Sequence, residues 1–474
     1  MTNPNPNPTP TPDRERMERS LRIWFTEGRP PLADRESQIN DVLGRLDEAP
    51  QTRARFLGRW FDRGRGARRG TDAHDHPPDN NRRNRLMFSA TGLVAAFAVL
   101  ALSVSVVNTE PAPPNAGAGT SYTVDAAGTA DFSTIGEAVA VASDGDTVLV
   151  QPGTYTEAIV IDKDITLAGD GPIDEIVLHA PEDGPRVHTG GGPEGSGLEP
   201  YAVLLVDTEA VLSGLTLEGE RAVVIASGGA PTLTGLLVDG VGLAYKAGYE
   251  ATGNSIVING GSTATVQGNT LTGGGSVGVF DLSEPLIEGN TLSGGPHIWG
   301  GFGDGAIIRG NTIDAPIVRG ILVGGPSAPL IEGNVITNPG FDGLTLKDSS
   351  PTVRDNVISG ALLAGINVKM MGSTPTIEGN ELTDNDTGII LHASEAQVDG
   401  NSVKGGDTGV MVGSGSPMLT NNSVEGSRLG IVIRAFTSPT LNGNTLCADE
   451  ANVRISAGVD VDLGGNEMCE GAAA

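Results

Sequence analysis

The sequence predicts an all-β chain wound as a right-handed parallel β-helix solenoid with about 22-residue coils, preceded by a single transmembrane helix and a small α-helical cytoplasmic segment. Three observations predict it. An asparagine returns at near-constant spacing through the carboxyl-terminal part, the same short apolar pattern surrounds each return, and one earlier run of 22 residues carries no charge. With 69 Gly and only 4% aromatic residues, the composition favours small repeated turns over cores built on large rings.

The recurring residues are Asn269, Asn290, Asn311, Asn334, Asn356, Asn380, Asn401, Asn422, Asn444 and Asn466, separated by 21, 21, 23, 22, 24, 21, 21, 22 and 22 residues. Two residues after each stands an apolar side chain, from Leu271 and Leu292 to Leu446 and Met468, able to stack into one continuous core. Before most of them lies a short strand such as PLIEG or PTIEG, and earlier a Gly-apolar-x-apolar strand such as GLTL, GINV, GIIL, GVMV or GIVI. Three strands per coil, each too short to stand alone, are satisfied when every strand pairs with its equivalents above and below. An Asn at the same corner of each coil is expected to take the left-handed backbone conformation and to hydrogen-bond the Asn one coil away. Leucine-rich repeats share the period, but their L-x-x-L-x-L pattern does not recur.

Residues 1–12 alternate Pro with small polar residues and read as an extended, disordered leader. Residues 13–85 read as a basic cytoplasmic segment, with helical stripes at Met17, Leu21 and Trp24 and at Ile39, Val42, Leu43 and Leu46. A third set, Phe56, Leu57, Trp60 and Phe61, is interleaved with Arg53, Arg55, Arg59 and Arg63. It suits either a helix on the inner membrane surface or a solvated basic linker. Residues 86–107, LMFSATGLVAAFAVLALSVSVV, are enough to cross a hydrocarbon core of about 30 Å. Arg82, Arg83 and Arg85 precede this run, so the amino terminus is expected in the cytoplasm and the β-helix outside. A linker, 108–119, leads to the solenoid at 120–470 and a tail at 471–474. This order resembles bacterial membrane-anchored proteins, including anti-sigma factors whose cytoplasmic helices hold a protein partner, although the His-x3-Cys-x2-Cys signature is missing.

Of the formal net charge of −28, the residues through Arg85 hold 17 basic and 13 acidic side chains, leaving 13 basic and 45 acidic for the rest. Such an acidic exported domain excludes nucleic acid as a partner.

The solenoid opens with FSTIGEAVAVASDGDTVLVQPGTYTE. Ser133 to Ala142 reads as a helix capping the sheet ends, and Thr147 to Val150, Ala158 to Ile161 and Ile165 to Ala168 read as strands. Asp170 to Pro200 breaks the pattern and reads as a loop over the lateral face. This opening and the GN-x-[ILV] coils resemble the right-handed β-helix superfamily of pectin-lyase-like proteins over about Thr120 to Glu470. The resemblance implies the fold. It leaves the activity open, since lyases, hydrolases, esterases, epimerases, tailspikes and non-catalytic surface proteins share it.

Residues two before the asparagines, Glu288, Arg309, Glu332, Arg354 and Glu378 among them, alternate in sign and read as an outward ladder that fixes register. Cys447 and Cys469 each follow a ladder Asn by three residues, one period apart, which predicts a disulfide in an exported domain. On the Gly-apolar-x-apolar strands, Lys347, Lys369, His392, Arg434 and Arg454 hold outward positions in five of six coils, with Thr345 and Asn367 beside them, while Met411 and Gly413 interrupt the series. On so acidic a domain this strip predicts a track for an acidic polysaccharide. Solvated strand positions also favour Lys and Arg, which is the plainer reading.

For hydrolases the resemblance implies Asn-Thr-Asp, Asp-Asp, Gly-His-Gly and Arg-Ile-Lys motifs, and for epimerases Asp-Pro-His-Asp. None of these is present. No carboxylate converging on Lys347, Lys369 and His392 is evident from spacing, and no metal or cofactor is expected. Aromatics at Tyr245, Tyr249, His297, Trp299 and Phe302 fit either sugar stacking or loop packing. The expectation is a non-catalytic module binding glycan or another surface ligand. A polysaccharide lyase or related enzyme on the same strip is the alternative, and a transmembrane regulator the third.

Overall fold

The computed structural model describes residues 119–188, 198–219, 224–240, 254–293, 297–369, 372–392 and 395–469. The expected leader, cytoplasmic helices and membrane span lie outside these residues, as do Tyr245 and Tyr249. No helix of the described residues is long and apolar enough to cross a membrane.

Each complete coil contributes one strand to each of three parallel sheets, and the two ends contribute one further strand apiece. The first runs from Ser121–Val124 to Thr440–Asn442 in 14 strands, and the second from Gly153–Thr156 to Glu467–Met468 in 14. The third runs from Ile159–Ile161 to Ala451–Ile455 in 13 strands. The winding is right-handed, as parallel crossovers are. Inside, equivalent side chains stack coil on coil: Leu271, Leu292, Ile313, Ile336, Ile358, Leu382, Val403, Val424 and Leu446 form one column of a single core. Each such side chain, fully buried, contributes about 1.5–3 kcal/mol.

The asparagine ladder is continuous from Asn269 to Asn466. From Asn290 onward each Oδ1 accepts both the backbone N–H and the Nδ2 of the preceding ladder Asn, as where Asn334 gives both to Asn356 at 3.0 and 2.9 Å, while Asn269 Oδ1 accepts from Leu236 N–H. One expectation is corrected: the left-handed residue is not the Asn but its predecessor, Gly in most coils and Asp355 or Asn421 in two. The bend at that predecessor turns the next side chain inward, where an amide can serve both the neighbouring coil and the strand carbonyls.

The amino-terminal helix α1 (Ile135–Val141) buries Ile135, Ala138 and Val139 over the first coil. The Glu157 carboxylate accepts from the N–H groups of Ile135 and Gly136, while Lys163 Nζ donates to the carbonyls of Val139, Ala140 and Ala142. Both ends of a short helix are thereby satisfied from the coil below. At the other end Val459, Val461, Leu463 and Met468 close the core, and a disulfide joins Cys447 to Cys469 with Cα atoms 4.9 Å apart.

Two departures concern the opening coils. GTYT, which falls between the expected strands, is itself a strand, with Tyr155 pointing inward and its hydroxyl donating to the carbonyl of Gln151. The segment read as one loop contains the strand Ile176–His179, which pairs with Gly153–Thr156 and Thr216–Gly219. Only then does the chain leave the coil, in the antiparallel pair Arg186–His188 and Leu198–Pro200.

Candidate site on the third sheet

The third sheet carries the predicted strip. Its strands Asp342–Lys347 and Ala364–Lys369 turn Leu344, Leu346, Ile366 and Val368 into the core, so Thr345, Lys347, Asn367 and Lys369 face outward by alternation. Register places Lys347 directly against Lys369. His392 and Arg434 continue the same column, since Leu391 pairs with Val368 and Val412, and Val412 with Ile433. Adjacent coils are about 4.8 Å apart.

Gly413 interrupts this column in sequence but serves it in space. A Cβ there would stand 2.5 Å from His392 Nδ1 and 2.8 Å from its Cε1, so the imidazole lies over the glycine, on the side of Arg434. Burial pushes the His392 pKa below its ordinary value, and the charges of Arg434 and Lys369 push the same way against Asp342. The ring is therefore mainly neutral at pH 7.

Arg454 departs from the column. Register pairs it with Val432, two positions earlier than Arg434, because only 20 residues separate the two arginines. It stands in the column of Thr345 and Asn367, and its guanidinium lies 3.2 Å from Glu450. The expected five-residue strip is thus a column of four with Arg454 offset.

Sequence reasoning missed the residue at the centre of the cluster. Asp342 has a fully buried carboxylate, with Lys369 Nζ at 3.3 Å and Arg319 Nε at 3.7 Å. Thr345 Oγ1 donates to Oδ2 at 2.7 Å, and Asn367 Nδ2 donates to Oδ1 at 3.1 Å. A buried charge persists only when so surrounded, and removing one partner of such a pair costs about 3–5 kcal/mol. The signal existed in the sequence: Arg319 and Asp342 hold the same position, just before the strand glycine, with opposite charge. Next to this polar cluster Ala364, Ile390 and Met411 form an apolar patch separate from the core.

The outward ladder on the first sheet resolves into discrete pairs. Arg309 Nε lies 2.8 Å from Glu288, and Arg354 binds Glu332 through Nε and Nη2 at 2.8 and 2.6 Å. Exposed to solvent, they are screened and act on register more than on stability. The aromatics near Trp299 pack locally. Phe302 is fully buried, His297 is buried, and Trp299 meets Phe280 edge to face at 5.1 Å. Among the described residues no group of three or more His, Cys, Asp and Glu side chains is placed to hold a metal ion.

No curated protein matches the chain. Among solved structures it is similar to the PL6 family alginate lyase AlyGC, at 14% identity over 71% of this chain and 50% of that one, with a TM-score of 0.44. It therefore spans about half the length of that lyase. It is also similar to a mutant tailspike protein of E. coli bacteriophage HK620, at 10% identity over 69% and 72% with a TM-score of 0.40. A third similarity is to the catalytic unit of a GH87 alpha-1,3-glucanase from Streptomyces thermodiastaticus, at 13% over 70% and 65% with a TM-score of 0.34. The parallel β-helix is thus established by strand pairing, and residues 297–446 within it match the family described as "Right handed beta helix region".

Proposed function

We propose that this protein is a membrane-anchored β-helix displayed outside the cytoplasm, which binds an acidic polysaccharide along the third sheet without cleaving it. The observation that carries the reading is the single register column of Lys347, Lys369, His392 and Arg434 on a domain otherwise rich in carboxylates. Lys347 and Lys369 on adjacent coils and Arg434 three coils further on, with the His392 imidazole as a hydrogen-bonding group between them, offer spaced contacts to a polymer carrying repeated negative charge. Anchoring rests on the uncharged run Leu86 to Val107, with the arginines before it on the cytoplasmic side.

A second reading, a uronate-directed lyase, is favoured by one feature: the Asp342 carboxylate beside Lys369 supplies the convergent acid–base pair that spacing alone did not. A glycan array, with an assay for unsaturated uronate product, separates the two. Binding to acidic glycans that weakens in Lys369→Ala, with no product formed, supports the module. Product lost in Lys369→Ala supports the enzyme. Absence of binding to any acidic glycan refutes the module.

A further inference from the structure

The turns between the third sheet and the first repeat a Ser/Thr-x-Pro sequence. In four of them the residue just before the hydroxyl side chain holds left-handed backbone: Leu282, Asp348, Gly372 and Phe436, with φ of 53°, 55°, 91° and 66°. In Arg434-Ala435-Phe436-Thr437 the Thr437 Oγ1 donates to the Arg434 carbonyl at 2.7 Å, as Ser283 Oγ does to that of Phe280 at 2.8 Å, so the turn itself imposes the conformation. Glycine or aspartate meets that demand readily, whereas a bulky side chain strains the backbone. Packing does not offset the strain at Phe436, which is 98% exposed. A lone exposed apolar residue calls for no explanation, but one held against its own backbone preference does.

Its position supplies the explanation. Phe436 follows Arg434, the last member of the cationic column, by two residues, which keeps their Cα atoms within about 7 Å of each other. Arg434 is itself exposed, and unlike Arg428 and Arg454, which meet Asp407 and Glu450, it has no carboxylate partner among the described residues. The turn of the preceding coil reads GSGS from Gly413, and that of the following coil SAG from Ser456, so no bulky neighbour crowds the ring. An open aromatic face is electron-rich and attracts C–H groups, and a free guanidinium beside it binds a carboxylate. A uronate pyranose carries both, C–H groups on the face of its ring and a carboxylate at its edge.

We infer that Phe436 and Arg434 form a sugar subsite at the end of the cationic column, in which Phe436 stacks on a uronate pyranose whose carboxylate Arg434 holds. The third sheet thereby selects pyranose-based polyanions over polyanions without rings. This rests on the polysaccharide-binding reading and deepens it: the column alone recognises charge and spacing, and Phe436 adds recognition of the ring.

The experiment is calorimetric titration of the full-length protein with two polymers matched in charge and length, an oligogalacturonate and a polyacrylate. The native protein is expected to prefer the oligogalacturonate. Phe436→Gly lowers that affinity about fivefold, the contribution of one aromatic stacking contact, and leaves polyacrylate affinity unchanged. Because the side chain is exposed and glycine suits the turn, this variant unfolds close to the native midpoint. Phe436→Trp keeps an aromatic face and keeps the preference. Leu282→Gly makes the same backbone change in a turn several coils away and alters neither affinity. Equal affinity of the native protein for the two polymers overturns the subsite, as does a Phe436→Gly variant that loses nothing or loses both alike, while polyanion binding stands. If neither polymer binds the native protein, the parent reading fails and this one with it.

Discussion

Replacing Asn356 by Ala tests the reasoning about the asparagine ladder at a single residue. Its Nδ2 donates to Asn380 Oδ1 at 3.0 Å, to the Ile331 carbonyl at 3.0 Å and to the Arg354 carbonyl at 2.9 Å. Its Oδ1 accepts from Asn334 N and Nδ2. Some neighbours survive truncation: Asn334 Nδ2 retains the carbonyls of Ile308 and Glu332, and Asn380 Oδ1 retains the Asn356 N–H. The Asn334 N–H is left buried and unpaired, at about 1–3 kcal/mol, and the lost side-chain bonds add about 1 kcal/mol or slightly more in net terms. The expected destabilisation is about 2–4 kcal/mol. Asn466, half-buried at the end of the ladder, has water as a substitute partner, so Asn466→Ala should cost only about 1 kcal/mol. Urea unfolding followed by circular dichroism measures both, and amide hydrogen exchange at Asn334 reads the orphaned group directly. Equal costs for the two variants, or an Asn334 amide that keeps its protection in Asn356→Ala, would refute the argument.

Three further outcomes follow from the same geometry. Burial lowers the His297 pKa from 6.5 to about 4, so between those values the unfolded chain binds a proton that the folded one refuses. Stability therefore rises with pH in that window, and acidifying from pH 7 to 4 should remove about 3 kcal/mol through this residue, a slope that denaturation of His297→Phe should lack. The Cys447–Cys469 bond closes a 22-residue separation, and Cys447→Ala/Cys469→Ala should lose about 3 kcal/mol relative to the oxidised protein, with reductant lowering the native midpoint by a similar amount. In Gly413→Ala the new methyl displaces the His392 ring toward water, and its pKa, followed by NMR, should move back up toward the ordinary histidine value while the unfolding midpoint changes little.

The repeated part of the fold was legible because it is dictated locally. A coil must turn sharply once, and the Gly-Asn pair with an apolar residue two positions later meets that need the same way in Gly289-Asn290-Thr291-Leu292 as in Gly400-Asn401-Ser402-Val403. Nearest-neighbour stacking then propagates it, so the period, the core column and the opening strand Thr147–Val150 could all be read from the chain. The outer face follows no such rule. Coils vary in length at their turns, so which outward residues meet is settled only when the sheets align. Arg454 slipped two positions from Arg434 for that reason, and Asp342 met Lys369 across a coil that spacing did not connect. The sequence by itself determined the coil, the core and the cation-rich strand. Tertiary structure alone decided that a buried carboxylate lies beneath those cations, because core packing constrains inward residues in every coil and leaves outward ones to the register.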